Sequence, residues 1–122
     1  MHIAVCDNNV ADRKQLERLL GRESDARKNV TGVFYTDSYG EGGSLFPKRM
    51  SYDLFFIDIN DDSAETGLDL ALSLCKGGVS TPVVLCSSKI DYKERSLSIG
   101  DFPSNILFLN KPIVKSELSA LL

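Results

Sequence analysis

The chain has 122 residues, of which 43% are hydrophobic and 25% charged, as expected of one soluble domain with a single core. A net charge of −3, with scattered Lys and Arg, argues against direct contact with nucleic acid. No apolar run approaches the ~20 residues of a membrane span, so no membrane contact is expected. The start leaves no room for a signal peptide, and three cysteines in apolar stretches suit reduced core thiols, so we expect a cytoplasmic protein.

The first predicted element is a strand over residues 2–7, which ends at Asp7. Asn9 then has the side chain of a helix N-cap, with Asp12 three positions later, and leucines at helical spacing follow. Gly21 is expected to end this helix, because glycine suits the position after a helix.

Residues 30–35 predict a second strand. The glycines of residues 38–48 lower helix propensity, and Pro47 is expected to end the short or irregular helix there. The third strand is predicted over 53–58, where four apolar residues run directly into Asp58, a pattern typical of a strand buried on both faces. A carboxylate at the tip of such a strand is costly unless it is solvated, paired or bound to a cation.

The next segment begins with an acidic, polar loop. Thr66 and Asp69 then have the spacing of another capping pair, and apolar residues follow at helical spacing until Gly77, which is expected to stop the helix. The fourth strand is predicted over 83–86, after a Thr-Pro pair.

The last third of the chain predicts one more strand, between two helical segments. Residues 90–99 have helical length but only a thin apolar face, residues 106–109 form the fifth strand, and leucines from Leu118 onward begin an amphipathic helix. Strands therefore alternate with helices, which predicts an α/β fold: one doubly wound, five-stranded parallel sheet with helices on both faces.

Four of the five predicted strands end in polar residues. The carboxyl ends of parallel strands lie along one edge of the sheet, which is where ligands bind in open α/β folds. Each residue alone is explained as a helix cap or a solvated loop charge, whereas the set together favours a site. The set is Asp7 and Asn8, Asp58, Ser87 and Ser88, and Asn110 and Lys111.

Such a set suits phosphoryl capture. Paired carboxylates attract a hard cation, for which Mg²⁺ is the expected choice because it keeps waters and bridges to phosphate oxygens. Asp58 is the predicted nucleophile, forming an aspartyl phosphate, while Lys111 neutralises charge and the Ser87 hydroxyl donates to a phosphoryl oxygen.

The ordered set of motifs resembles the receiver domains of two-component response regulators, the chemotaxis-type fold with strand order 2-1-3-4-5, which is flavodoxin-like. The motifs span the whole chain and are Val5-Cys6-Asp7-Asn8, Phe56-Ile57-Asp58-Ile59, Gly67-Leu68-Asp69-Leu70-Ala71, Ser87 and Lys111-Pro112. In addition, the residues Val-Cys-Asp at 5–7 show a weaker similarity to receivers that precede LytTR-type DNA-binding domains.

The resemblance implies that Asp58 accepts a phosphoryl group from a histidine kinase. It implies a Mg²⁺ site made by Asp7, Asn8, Asp58 and Asn60, the last through its backbone carbonyl. Lys111 would contact the phosphoryl group, and its peptide bond to Pro112 is typically cis in such domains.

The resemblance also implies a switch and its partners. Ser87 and Phe108 would act as the switch residues, although a buried strand aromatic is the simpler interpretation of Phe108. A C-terminal DNA-binding output domain outside these 122 residues and a homodimer on activation are the partners to consider. No enzyme activity is expected beyond self-catalysed phosphoryl transfer and autodephosphorylation.

The sequence departs from the family pattern at two places. Asn8 stands where the second acid of the first pair is expected, which removes one negative charge from the cation site. The loop after Asp58 carries Asp61, Asp62 and Glu65, which either restore a carboxylate to the site or form a solvated acidic loop.

Two alternatives therefore remain beside a phosphorylated receiver. The first is a degenerate receiver that binds a partner without phosphate. The second is an enzyme on a similar fold, which the sequence disfavours: a phosphatase would need an acid where Asn60 stands, and a flavin carrier would need a phosphate loop where the acidic Asp7 lies.

Overall fold

The computed structural model describes residues 1–27, 29, 32–40, 42–59, 64–87 and 103–122. The elements are β1 (His2–Cys6), α1 (Val10–Arg27), β2 (Tyr35–Tyr39), α2 (Gly42–Leu45), a 3₁₀ helix (Phe46–Ser51), β3 (Leu54–Ile59), α3 (Ala64–Lys76), β4 (Val83–Ser87), β5 (Ile106–Asn110) and α4 (Lys115–Leu121). Strands and helices alternate from β1 to β4, as the sequence predicts, and the segment between β4 and β5 lies outside the described residues.

The strands form one parallel sheet in the order β2-β1-β3-β4-β5. This confirms the predicted α/β class, the flavodoxin-like topology and the strand order that the resemblance implied. β3 lies at the centre, with Cys6 of β1 opposite Ile57 and Cys86 of β4 opposite Asp58. The register therefore places the ends of β1, β3 and β4 side by side.

Each face of the sheet carries its own apolar core, which is why β3 is apolar on both faces. Successive strand residues point to opposite faces, so Phe55 and Ile57 join one core while Leu54 and Phe56 join the other. The first core is covered by α2 and α3 and is called the α3-side core. The second is covered by α1 and α4 and is called the α1-side core. Fully or nearly fully buried helix residues in these cores are Leu45, Ala71 and Leu74 on one face and Leu16, Leu20 and Leu118 on the other.

The second strand was predicted in the wrong place. It runs over Tyr35–Tyr39 and excludes residues 32–34 of the predicted span 30–35, of which residues 30 and 31 lie outside the described residues. All five of its side chains are exposed or half-buried. As an edge strand it is solvated along one side, so it does not need an apolar pattern. The apolar signal came instead from Phe34, which precedes the strand and packs into the core beside α1.

Two predicted helix boundaries were also wrong. Gly21 does not end α1, which continues to Arg27 because Glu23 and Arg27 bind Ser119 of α4. Those contacts offset the cost of an interior glycine, about 1 kcal/mol relative to alanine. Thr66 is not an N-cap either, since α3 begins at Ala64.

Most other local predictions hold, but Pro47 does not end the helical segment as expected. The N-cap at Asn9 is confirmed, since the Asp12 amide donates to Asn9 Oδ1 at 3.1 Å. The region before β3 is a short helix followed by a 3₁₀ helix, with Pro47 near the start of the latter rather than at its end. Gly78 follows α3 with a φ of 100°, a conformation that favours glycine.

Some predictions lie outside the described residues. These are the helix expected over 90–99, Ser88, Asn60, and the acids Asp61 and Asp62. Glu65 lies in α3, but its side chain is outside the description. In the part of the chain that is described, no helix is long and apolar enough to cross a membrane.

We predict opposite effects of alanine at two helical glycines. A Cβ at Gly67 would lie 2.7 Å from the Asp58 carbonyl oxygen and 3.2 Å from Ile59 Cγ1, whereas a Cβ at Gly21 would meet nothing within 4 Å. Gly67→Ala should therefore destabilise the protein by about 1–3 kcal/mol, because α3 must move away from β3. The matched control Gly21→Ala should stabilise it by about 0.5–1 kcal/mol through helix propensity.

Urea unfolding of both variants measures this difference. Equal changes in the free energy of unfolding at the two positions would contradict the prediction. They would mean that α3 can accommodate a methyl group against β3.

Candidate functional site

Asp58 is the first side chain of the site and belongs to β3 itself. It lies one residue before the end of that strand and shares a face with Phe56, so its carboxylate enters the edge of the α1-side core. The side chain is only 5% exposed. A buried carboxylate needs a compensating charge or hydrogen-bond donors, and the surrounding elements provide them.

Asp7 is the second carboxylate and directly follows β1. Its side chain is 8% exposed, and the Asn9 amide donates to Asp7 Oδ1 at 2.8 Å. Its backbone is fixed on both sides, because its amide donates to the Tyr39 carbonyl at 3.0 Å and its carbonyl accepts from Arg13 at 3.0 Å. The carboxylate is therefore held in place before any ligand binds.

Lys111 brings a positive charge from the end of β5. Its amide donates to the Ser87 carbonyl at 2.7 Å, and its peptide bond to Pro112 is cis, as the resemblance implied. The side chain is 16% exposed and crosses the sheet edge to reach the carboxylates. Lys111 Nζ donates to Asp58 Oδ1, to Asp7 Oδ2 at 3.1 Å and to Asp12 Oδ2 at 3.0 Å.

The charges of the site influence one another. Burial raises the pKa of Asp7; the amide of Asn9 and the ammonium of Lys111 oppose this rise, while the neighbouring Asp58 adds to it. Burial works against the charged form of Lys111, but its hydrogen bonds to Asp58 and Asp12 outweigh burial and raise the pKa of Lys111. The ammonium is therefore charged throughout the neutral range.

A cavity of about 350 Å³ opens above these groups at the carboxyl edge of the sheet. Its lining combines carboxylates and the lysine with apolar side chains of the α1-side core. The lining residues include Asp7, Asn8, Asn9, Asp12, Gln15, Asp58, Cys86, Lys111 and Pro112. A ligand that binds the carboxylates of Asp7 and Asp58 would enter through this space.

The structure brings together most of the predicted site residues. Asp7, Asp58 and Lys111 are in contact, and Asn8 lines the same cavity. Ser87 is the last residue of β4, buried, and pairs in register with Ile59 and Asn110. Its catalytic role stays a prediction.

Phe108 packs on the α3 side of the sheet, whereas Phe56, on the same face as Asp58, packs on the α1 side. Phe108 sits in the middle of β5, half-buried against the α3-side core, so a switching role for it also stays a prediction. Asn60, the fourth expected cation ligand, is outside the described residues.

Sequence reasoning missed one member of the site. Asp12 was interpreted only as part of a helix cap, yet its carboxylate binds Lys111. The available signal was its place in the first turn of the helix that follows Asp7, which puts a charge near the end of β1.

The three cysteines, Cys6, Cys75 and Cys86, form no disulfide in the structure, as expected of reduced core thiols. Cys86 faces the site from β4, and burial raises the pKa of its thiol to about 12, which keeps it protonated at neutral pH.

The sequence gives no match to protein-family models or to curated proteins. Solved structures do match. The receiver domain of NtrX from Brucella abortus aligns with a TM-score of 0.73 at 22% identity, over 98% of this chain and 92% of that one. The Francisella response regulator 1452 receiver domain aligns at 0.65 and 21% identity, over 98% and 91% of the two chains. The beryllofluoride-activated DrrB receiver domain aligns at 0.72 and 16%, over 98% and 92%.

At these low sequence identities the structural alignments show the fold alone. The chemistry of the site depends on this chain's own residues. The similarity to LytTR-associated receivers stays a prediction. The order of the strands, the coverage of almost the whole chain and the TM-scores together show that this protein has the fold of response regulator receiver domains.

Proposed function

We propose that this chain is a two-component signalling receiver that accepts a phosphoryl group on Asp58 from a histidine kinase. The observation that carries the proposal is the contact of Lys111 with both Asp58 and Asp7 beside a cavity of about 350 Å³. The ends of three separate strands, β1, β3 and β5, are needed to build this arrangement. A buried trio of charges is costly for a fold, and such arrangements cluster at functional sites.

The donor set fits Mg²⁺. Asp7 and Asp58 supply carboxylate oxygens, the Asn8 side chain lines the cavity, and Asn60 is proposed from the resemblance alone. Among the described residues, no group of three or more His, Cys, Asp or Glu side chains is arranged to hold a metal. Mg²⁺ does not require one, because it is commonly bound through one or two carboxylates and several waters. When bound, the ion would neutralise charge on the phosphoryl oxygens.

Asp58 is the nucleophile of the proposed transfer. A bond forms between its carboxylate oxygen and phosphorus as the phosphorus–nitrogen bond of the donor's phosphohistidine breaks, and the imidazole nitrogen takes up a proton. Lys111 stays charged and lies against Asp58, so it stabilises the negative charge of the transferred group. The protein performs this reaction on itself, together with the later hydrolysis, and is not proposed to turn over another substrate.

The proposed output is a change in partner binding. The phosphoryl group adds about −1.5 to −2 charge at neutral pH, which attracts the lysine and a nearby hydroxyl. Ser87 is proposed as that hydroxyl and Phe108 as the residue that follows it. Partners would be the kinase, an attached DNA-binding domain or a second copy of this chain, in the cytoplasm.

One observation favours a second candidate function. Asn8 is neutral where the resemblance has an acid, so the cation site is weaker by one charge. A degenerate receiver that binds its partner without phosphate would need neither the cation nor the transfer. It gives no reason, however, for Lys111 to be held against two buried carboxylates.

The decisive experiment is phosphorylation with acetyl phosphate and Mg²⁺. We expect wild type to gain the mass of one phosphoryl group, and Asp58→Ala to gain none, because the nucleophile is absent. Asp69→Ala is the matched control, since Asp69 is exposed on α3, and it should be labelled like wild type. Mass spectrometry and Phos-tag electrophoresis measure the adduct.

The same samples decide between the two candidates. If wild type gains no phosphoryl group and its amide spectrum does not change when beryllofluoride is added, the degenerate receiver is favoured.

We also predict that the charge of Asp7 lowers metal-free stability. A carboxyl whose pKa is raised in the folded state holds its proton more tightly there than in the unfolded chain. Its effect on stability therefore becomes unfavourable as pH rises from the unfolded pKa, about 4, through the raised folded value. Asp7→Asn should be more stable than wild type at pH 7 without Mg²⁺ and should lose this pH dependence.

Urea unfolding between pH 4 and pH 7, with and without Mg²⁺, measures the effect, with Asp69→Asn as the control. A less stable Asp7→Asn would mean that the bond to Lys111 outweighs burial.

A further inference from the structure

The ammonium of Lys111 has a third carboxylate partner at the mouth of the cavity. Asp12 Oδ2 lies 3.0 Å from Lys111 Nζ, similar to the 3.1 Å of Asp7 Oδ2. The side chains of Asp7 and Asp58, the two inner carboxylates, are 8% and 5% exposed, respectively. The Asp12 side chain is 43% exposed. An ammonium has three N–H donors, so the three carboxylates match its donors one for one.

This arrangement creates a competition between two cations. A divalent ion that binds this pocket needs oxygens of Asp7 and Asp58, and in the structure both carboxylates are engaged with Lys111. If these were its only partners, the displaced ammonium would lose its whole set of acceptors. Asp12 lies at the rim, beside water, and leaves the ammonium one ion pair that does not depend on the inner oxygens.

We propose that Asp12 is a positioning residue, which retains Lys111 at the site when the inner carboxylates turn to a divalent cation. The proposal rests on the proposed function and extends it to a residue that the resemblance does not assign. The charge balance supports it. Asn8 removes one acid from the pair after β1, and Asp12 returns the pocket to three carboxylates around one ammonium.

The helix start does not require this carboxylate. The capping bond at this turn joins the Asp12 amide to Asn9 Oδ1, so it uses the backbone of Asp12 and not its side chain. A purely structural role would be a favourable acid in the first turn of α1, which affects helix stability alone. The two roles are separated by cation affinity, because a helix-stabilising charge outside the site does not change it.

The test compares Asp12→Asn with Asp25→Asn, which removes the same charge from an exposed position near the other end of α1. The Mg²⁺ dissociation constant is measured by NMR titration of the Asp7 and Asp58 amides, and the exchange of the Lys111 ammonium protons with water is followed in the same samples. We expect Asp12→Asn to bind Mg²⁺ about three- to fivefold more weakly, the effect of one partly exposed ion pair. The ammonium protons should also exchange faster.

Two further variants complete the design. Asn8→Asp in the Asp12→Asn background should restore most of the Mg²⁺ affinity, because it returns the missing charge. Asp12→Ser removes the charge with a different side chain and should behave like Asp12→Asn, and the amide spectrum of each variant reports whether it is folded.

The outcomes separate this inference from the proposed function. If wild type binds Mg²⁺ and is phosphorylated while Asp12→Asn binds Mg²⁺ as tightly as wild type or more tightly, the inference is overturned and the receiver function stands. If wild type binds no Mg²⁺ and forms no adduct, both are overturned. Weaker binding in both Asp12 variants, with Asp25→Asn unchanged, supports the role of Asp12.

Discussion

The cluster of ion pairs that Lys111 makes with Asp7, Asp12 and Asp58 is the interaction on which the carboxyl edge of the sheet depends. Two carboxylates with 8% and 5% exposure cannot remain charged beside each other without a compensating cation, and the ammonium provides it. To reach them, β5 must pair with β4 so that Lys111 extends across the sheet edge. The sheet order is thus what brings together charges that lie far apart in the sequence.

The core explains how the protein tolerates this cluster. β3 is buried on both faces, and the helices that cover it contribute aliphatic side chains on either side. The charged groups of the cluster lie at the carboxyl edge of the sheet, where they line a cavity. This edge is where ligands bind in open α/β sheets.

The sequence predicted the fold class, the central strand and the convergence of Asp7, Asp58 and Lys111, because these follow from apolar patterns and from the geometry of parallel sheets. It placed β2 too early in the chain, since this strand has no buried side chain and the apolar signal comes from Phe34 just before it. It missed the contact of Asp12 with Lys111, because Asp12 belongs to a helix and not to a strand end. Only the packing of α1 against the sheet determines where a first-turn carboxylate points.

The close approach of α3 to the strand that carries Asp58 has a mechanical consequence. Gly67 leaves no space for even a methyl group between the helix backbone and the Asp58 carbonyl. A larger side chain at position 67 would therefore have to displace either α3 or the peptide at Asp58. The spacing between the helix and the strand end thus depends on a residue with no side chain.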